Sequence, residues 1–163
     1  MAGKKRVVIC DVRVGDQVVR VIGAHLSHRS ESLRVRSVEV LARLAADSEW
    51  PVIVAGDLNS TPPGFPESAR DAGGRNAVAT LDASGRFRRM PVDPPPSAAL
   101  LTFPSPEPTR LIDWILVPPD WDFLDYAVEP SPLSDHRPVR ADVAPTDLNG
   151  NDNGNDNDNG NRR

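Results

Sequence analysis

The chain has 163 residues, with 19 Lys and Arg against 23 Asp and Glu, so its formal net charge is −4. This acidic balance, with a pI near 5.3, excludes a basic protein that coats nucleic acid, because such binding depends on Lys and Arg neutralising phosphates. The length allows one domain, although two-sheet sandwiches often need about 200–250 residues.

The composition changes near Pro145. Residues 146–163 consist largely of Asn, Asp and Gly, with Leu148 as the single aliphatic residue. We therefore predict one domain over residues 1–145 and a disordered Asn/Asp/Gly-rich tail over 146–163, because such residues bury little surface. The alternative for the tail is a calcium loop, since Asn155, Asn157, Asn159 and Gly160 match its odd positions and glycine, but the closing glutamate is missing.

Cys10 is the only cysteine, so an internal disulfide is excluded. Its place in the apolar run VVIC favours a buried, inert thiol over a reactive one. No apolar stretch approaches the roughly 18 residues of a membrane-spanning helix. The apolar run near the start ends at Asp11, which is too early for a secretory signal. We expect a cytoplasmic protein with no transmembrane segment.

The N-terminal half predicts two strands, a helix and a third strand. The β-rich runs 6–14 and 17–24 flank Gly15-Asp16, which indicates a two-residue hairpin. Ser30 is expected to cap a helix that ends near Ala46. In that helix the core face comprises Val38, Leu41, Ala42 and Ala45, while Arg34, Arg36 and Arg43 point away from it. Residues 52–55 are wholly apolar, which is typical of a strand buried on both faces.

The C-terminal half begins with a long connection over residues 60–110, in which a helix is predicted only over about 66–72. Seven prolines from Pro91 to Pro108 make regular structure unfavourable there. Residues 111–117 predict an apolar strand that contains Asp113, and 139–143 predict a closing strand. The type of element over 121–128 stays open, and 133–138 are expected to form a loop.

Polar residues of the kinds that catalyse reactions or bind metals lie at the ends of these strands. Asp57 and Asn59 follow the apolar strand, where each is either a turn residue or part of a cleft. His25 ends the second strand and is either a hydrogen-bonded core histidine or a functional one. Asp113 lies among apolar residues and needs a partner if it is buried. His136 and Asp135 lie in the last loop, where a simple surface turn is the alternative.

Taken in order, these segments resemble the endonuclease/exonuclease/phosphatase superfamily, the metal-dependent phosphoesterases related to DNase I. The resemblance extends over about residues 7–143. It rests on four motifs in the family order: Ala24-His25-Leu26, Gly56-Asp57-Leu58-Asn59-Ser60-Thr61-Pro62, Arg110-Leu111-Ile112-Asp113-Trp114-Ile115, and Ser134-Asp135-His136-Arg137-Pro138. It implies an α+β fold of the DNase I-like kind, a four-layer α/β/β/α sandwich that is N-terminally incomplete.

The resemblance also implies roles for individual residues. The catalytic residues would be His25, Asp57, Asn59, Asp113 and His136, with Asp113 orienting His136 and with water activated by Asp57, by the His136-Asp113 pair, or by both. Asp57 and Asp135 would bind the metal, Mg²⁺ or Mn²⁺. Asn59, Thr102 and Arg110 would contact the substrate. That substrate would be a phosphorylated small molecule, a lipid or a nucleic acid, and no stable protein partner is inferred.

The chain departs from the family in one respect. Family members carry an Asn and a metal-binding Glu ahead of the His-Leu motif, but the 24 residues before His25 contain neither. Three explanations stay open: a truncated gene or misplaced start, a partner chain that supplies the other half, or a degraded relative that no longer catalyses. The alternative to a phosphoesterase is therefore an inactive remnant or interaction module on the same scaffold.

Arginines outside these motifs have two interpretations. They either contact substrate phosphates or are solvated charges on a helix face and a loop. The residues concerned are Arg29, Arg34, Arg36, Arg86, Arg88 and Arg89.

Overall fold

A computed structural model describes residues 7–146 of the chain. Strands β1 (Val7–Val14) and β2 (Gln17–His25) form an antiparallel hairpin. Gly15 at its turn has a φ of 60°, a left-handed conformation that glycine adopts without a steric penalty. The hairpin predicted from Gly15-Asp16 is confirmed.

Helix α1 (Glu31–Ala46) begins and ends as predicted. The Ser30 side chain accepts a hydrogen bond from the backbone N–H of Leu33, which satisfies one of the free donors of the first turn. Val35, Val38 and Leu41 are fully buried against the sheet. The prediction that Arg34 points away from the core is wrong, because Arg34 is only 8% exposed and is paired with Glu31.

Strand β3 (Val52–Asp57) lies parallel to β2 and antiparallel to β5 (Asp113–Val117). The larger sheet has the order β1-β2-β3-β5-β4, with β4 formed by Arg88–Arg89. Burial of residues 52–55 on both faces is a wrong prediction. Val52 and Val54 face the helices and are buried, but Ile53 and Ala55 on the opposite face are only half-buried.

The long connection contains a helix at a different place from the one predicted. Helix α2 (Ala77–Ala83) begins after Asn76, whose side chain accepts a hydrogen bond from the N–H of Ala79. The prediction of a helix over residues 66–72 is wrong, because these residues form turns and irregular structure. The proline-rich part is irregular apart from a short 3₁₀ helix, Ala98–Leu100.

A second, two-stranded sheet consists of β6 (Trp121–Val128) and β7 (Val139–Pro145). It packs on the larger sheet through buried Val19, Val117 and Trp121. The main core lies on the other face of the larger sheet, under the two helices, and contains the fully buried Trp114. Residues 7–146 thus form three layers, helices on sheet on sheet. The outer helical layer of the expected four is absent from this range.

Strand β1 lies at the edge of the larger sheet, and all eight of its residues are exposed. Val8 is 65% exposed and Val14 is 62% exposed. The prediction that Cys10 is buried is therefore wrong: its thiol is free and exposed, because nothing in residues 7–146 covers this strand.

The predicted tail falls almost entirely outside the described residues. Within them, no helix is long and apolar enough to cross a membrane.

Candidate active site

Three polar residues lie side by side across three neighbouring strands. In the backbone register, His25 of β2 is opposite Asp57 of β3, and Asp57 is opposite Asp113 of β5. Adjacent strands lie about 4.8 Å apart, so residues in register on the same face are within contact distance of each other. The sheet therefore sets the spacing of a row formed by His25, Asp57 and Asp113. The Nε2 atom of His25 lies 3.4 Å from Asp57 Oδ2.

Gly56 allows β2 and β3 to approach closely at this row. Its φ is 134°, and a Cβ atom at this position would lie 2.1 Å from the carbonyl oxygen of Ala24. Only glycine fits such a contact, because no L side chain has room there. Glycine at the position before Asp57 is thus a steric requirement of the row.

Asp57 is held by Asn59. The Asn59 backbone N–H donates to Asp57 Oδ1 at 2.7 Å, and Asn59 Nδ2 donates to Asp57 Oδ2 at 2.7 Å and to the Leu26 carbonyl at 3.3 Å. Asn59 has a φ of 50°, a left-handed conformation that asparagine tolerates better than most residues. Burial raises the pKa of Asp57, and the nearby charge of Asp113 raises it further, while the Asn59 N–H bond and the two histidines oppose the rise.

His136 enters the site from the loop before β7. Its Nδ1 pairs with Asp113 Oδ2 at 2.8 Å, so Asp113 has the partner that its apolar surroundings require. Partial burial lowers the pKa of His136, but the hydrogen bond and charge of Asp113, with Asp57 and Asp135, outweigh it, and the net pKa is raised. The other ring nitrogen, Nε2, can donate a hydrogen bond to a substrate or accept a proton from it.

Among the described residues, Asp57, Asp113 and His136 form the group that could hold a metal ion, with one ligand atom from each lying within 4.8 Å of the others. Two carboxylates so close together repel each other unless a proton or cation lies nearby. Hard divalent cations are commonly held by one or two carboxylates together with water and phosphate oxygens. The carboxylates of Asp57 and Asp113 fit such an ion, although they provide few protein ligands for it.

Asp135 and Thr102, both predicted as site residues, lie apart from this cluster. Asp135 is exposed on the loop, and its carboxylate accepts a long hydrogen bond from Ser134 at 3.4 Å. Thr102 is fully buried, and its hydroxyl accepts from the backbone N–H groups of Ile112 and Asp113 at 3.2 and 3.3 Å. The expected contact of Thr102 with substrate is therefore wrong, because this side chain supports the start of β5.

Arg110 and Phe103 flank the cluster. The Arg110 guanidinium lies over the Phe103 ring at 4.7 Å, and the other neighbour of Phe103 is the His136 ring, with a centroid distance of 4.8 Å. Arg110 Nε is 3.2 Å from Glu67 Oε2. Arg110 and Asn59 both line a cavity of about 100 Å³. A wider cleft of about 360 Å³ opens beside Asp113 and His136.

Of the other arginines, two have structural roles. Arg34 is paired with Glu31, and Arg89 is bonded to Asp82 and lies 5.2 Å from the Trp114 ring centroid. Arg88 forms an ion pair with Asp122 at 2.6 Å. The hypothesis that these three contact phosphates is not supported by their contacts.

The sequence interpretation missed a buried polar network beside the site. It contains Glu31, Arg34, Ser60, Thr61 and Asn76, all buried. The one sequence feature that pointed to this network was Glu31 in the first turn of α1, and an acidic residue there is ordinarily explained by its favourable interaction with the helix dipole.

Comparison with known proteins places these residues in a family context. Residues 5–136 match the family model described as Endonuclease/Exonuclease/phosphatase family. None of the curated proteins matches the chain significantly.

Several solved structures have the same fold. An endonuclease/exonuclease/phosphatase from Bacteroides vulgatus is 22% identical, with a TM-score of 0.60 over 80% of this chain and 51% of its own. A Bacteroides thetaiotaomicron mannosyl-6-phosphatase is 20% identical, with a TM-score of 0.58 over 80% and 52%. The human Nocturnin catalytic domain with bound sulfate is 13% identical, with a TM-score of 0.59 over 87% and 53%.

These likenesses confirm the predicted fold class. The chain spans about half the length of the structures that it matches.

Proposed function

This chain belongs to the Endonuclease/Exonuclease/phosphatase family, and from that premise we propose that it carries a hydrolytic centre for phosphoester bonds. The observation that supports this most is the row of His25, Asp57 and Asp113, completed by His136. Together with the Asn59 side-chain amide, it brings two carboxylates and two imidazoles to the ends of neighbouring strands. Attack of water on a phosphoester needs these groups: a base, hydrogen-bond donors for the phosphate oxygens, and ligands for a cation.

His136 is assigned the donor role. Because Nδ1 is bonded to Asp113, Nε2 is the ring nitrogen that can donate to a substrate, and the raised pKa of His136 means that this ring is protonated more easily than a free imidazole. An imidazolium donates a charge-assisted hydrogen bond to a phosphate oxygen, which gains negative charge in the transition state. Asp113 keeps the ring in the orientation that makes this possible.

Asp57 is assigned the base role. Its pKa is raised by burial, so it accepts a proton more readily than an exposed carboxylate does. In the proposed step the proton of the attacking water passes to Asp57 as the new P–O bond forms. The bond between phosphorus and the leaving oxygen breaks, and that oxygen takes a proton from solvent, to which Asp57 later returns the proton that it accepted. Asn59 holds the carboxylate for this task.

A divalent cation is the expected cofactor. Asp57 and Asp113 would hold Mg²⁺ or Mn²⁺ together with water and substrate oxygens, and Asp135 lies close enough to influence the charge of His136. The cation would supply further neutralisation of phosphate charge. Because residues 7–146 offer so few protein ligands, we expect weak metal binding and slow turnover.

The substrate is proposed to be a phosphorylated small molecule, a lipid or a nucleic acid segment. Arg110 beside the cavity supplies a cation for a phosphate, and the Phe103 ring beneath it restricts its orientation. The net charge of −4 disfavours tight binding to long duplex DNA.

The test uses bis-(p-nitrophenyl) phosphate as the diester and p-nitrophenyl phosphate as the monoester. We expect turnover that requires Mg²⁺ or Mn²⁺, is abolished by EDTA, and falls roughly 100-fold or more in Asp57→Asn. Asp93→Asn, a charge removal in an exposed loop, is the matched control and should retain the wild-type rate.

An inactive remnant or interaction module on the same scaffold is the second candidate. It is favoured by the small ligand set, since the group of possible ligands within residues 7–146 has only three members. A chain that is folded but hydrolyses neither ester with either metal would support this second candidate and overturn the first.

A further inference from the structure

Glu31 and Arg34 form a buried ion pair in the first turn of α1. Arg34 Nε and Nη2 contact Glu31 Oε2 at 2.7 and 2.6 Å, and the two residues are 8% and 6% exposed. Burying two charges is unfavourable unless their remaining hydrogen bonds are satisfied. Helix capping does not account for the pair, because Ser30 already caps α1.

The remaining bonds of the pair reach the loops that follow β2 and β3, the strands that end in His25 and Asp57. Arg34 Nη1 donates to the carbonyl of Ser27, two residues beyond His25, at 2.7 Å. Glu31 Oε1 accepts from the hydroxyl of Ser60, the residue after Asn59, at 2.8 Å, and from the N–H of Ala77 at 2.6 Å. One ion pair therefore joins the loop after β2, the loop after β3 and the start of α2.

Asn59 depends on the separation of these loops. Its Nδ2 atom donates both to Leu26 O, in the loop after β2, and to Asp57 Oδ2, at the end of β3. A shift of either loop would break one of the two bonds. The left-handed φ of Asn59 also needs support from its surroundings, since asparagine prefers it less than glycine does.

We infer that Glu31 and Arg34 are positioning residues of the active site, which hold the loops after β2 and β3 so that Asn59 keeps the Asp57 carboxylate in place. The inference rests on the proposed function for its catalytic consequence, but its structural part stands on the hydrogen bonds alone. Neither residue belongs to the cluster of possible metal ligands. Their influence on the reaction passes through Asn59.

The test compares Glu31→Gln with Glu39→Gln. Glu39 lies on the same helix and is also paired with an arginine, Arg75, at 3.2 Å, but this pair is on the surface. The first readout is NMR of the full chain: the side-chain amide resonances of Asn59, assigned with Asn59→Asp, and their hydrogen exchange. In Glu31→Gln we expect these resonances to shift and their exchange to accelerate about 10-fold or more. In Glu39→Gln both should stay as in the wild type.

The second readout is turnover of the diester. Glu31→Gln is expected to lower kcat about 10- to 100-fold while KM changes little, because displacement of the base affects the transition state more than substrate binding. Glu39→Gln should leave both constants unchanged. If the wild type shows no turnover at all, the proposed function fails, and the NMR comparison alone decides the positioning role.

Ser60→Ala covers the case in which Glu31→Gln does not fold. It removes one hydrogen bond to Glu31 and leaves the ion pair intact, so we expect a smaller change of the Asn59 amide signals in the same direction. Unchanged Asn59 signals in a folded Glu31→Gln chain, or in Ser60→Ala if the former is unfolded, would overturn the inference. A lower melting temperature without such changes would mean that the pair only stabilises the fold.

Discussion

Replacing Gly56 with alanine is expected to damage both the sheet and the site. The added Cβ atom would lie 2.1 Å from the carbonyl oxygen of Ala24, whereas real Cβ contacts are essentially never under 3.0 Å. The parallel pairing of β2 with β3 must therefore open by about 1 Å at this point. This pairing also places His25 opposite Asp57, so the row of polar residues opens with it.

The cost has two parts. A φ of 134° in a residue other than glycine costs about 1–3 kcal/mol. Relief of the overlap against backbone atoms adds about 1–3 kcal/mol, as for other overpacked positions. We expect the free energy of unfolding to fall by about 2–6 kcal/mol, a large share of the roughly 5–15 kcal/mol that holds a domain folded.

Urea denaturation followed by tryptophan fluorescence measures this change, because Trp114 is 1% exposed in the folded chain. Gly23→Ala is the matched control: it lies on β2, and its nearest non-neighbouring atoms would be 3.9 Å away. That variant should lose less than about 1 kcal/mol. If Gly56→Ala proves as stable as Gly23→Ala, the steric argument is refuted.

Three further predictions concern the pH dependence, the core and the edge strand. Asp113 raises the pKa of His136, so the stabilisation from this pair is present below the unfolded pKa of histidine and is lost as pH rises through the folded pKa. Asp113→Asn should therefore lower the free energy of unfolding more at about pH 5.5 than at about pH 9. An equal loss at both pH values would contradict this. Trp114→Phe removes the hydrogen bond from Nε1 to the carbonyl of Ser60 at 3.0 Å, and the free energy of unfolding measured with urea should fall by about 1–3 kcal/mol. A change near zero would mean that water replaces the lost donor. Val8→Lys on the exposed edge should reduce concentration-dependent light scattering, and unchanged scattering would show that this edge does not self-associate.

Much of the fold was predictable because its signals are local. Gly15-Asp16 determines a hairpin and Ser30 begins a helix through interactions within a few residues. The helix predicted over residues 66–72 is absent, and the helix of this segment, α2, begins after Asn76, whose side chain also bonds the distant residues Ser60 and Thr61. Such contacts over more than a dozen positions leave no pattern along the chain.

The residues that form the site were predictable from the sequence, but the buried residues that hold them in place were not. Asp113 demanded a partner because a lone carboxylate in an apolar strand is costly, and the structure supplies His136. Burial of Arg34 and Thr102 could not be foreseen, since polarity alone suggests exposure for both. The exposure of Cys10 could not be predicted either, because an apolar run of sequence does not indicate whether another layer of the protein covers that strand.

The alignment of His25, Asp57 and Asp113 on adjacent strands has a consequence for how the site can move. Backbone ladders fix these three, so they shift relative to one another only if the strands shear. His136, in contrast, comes from a loop, and its ring is held at the site by its bond to Asp113. A displacement of this loop would therefore remove one imidazole from the site, while the backbone ladders kept the spacing of the Asp57 and Asp113 backbones.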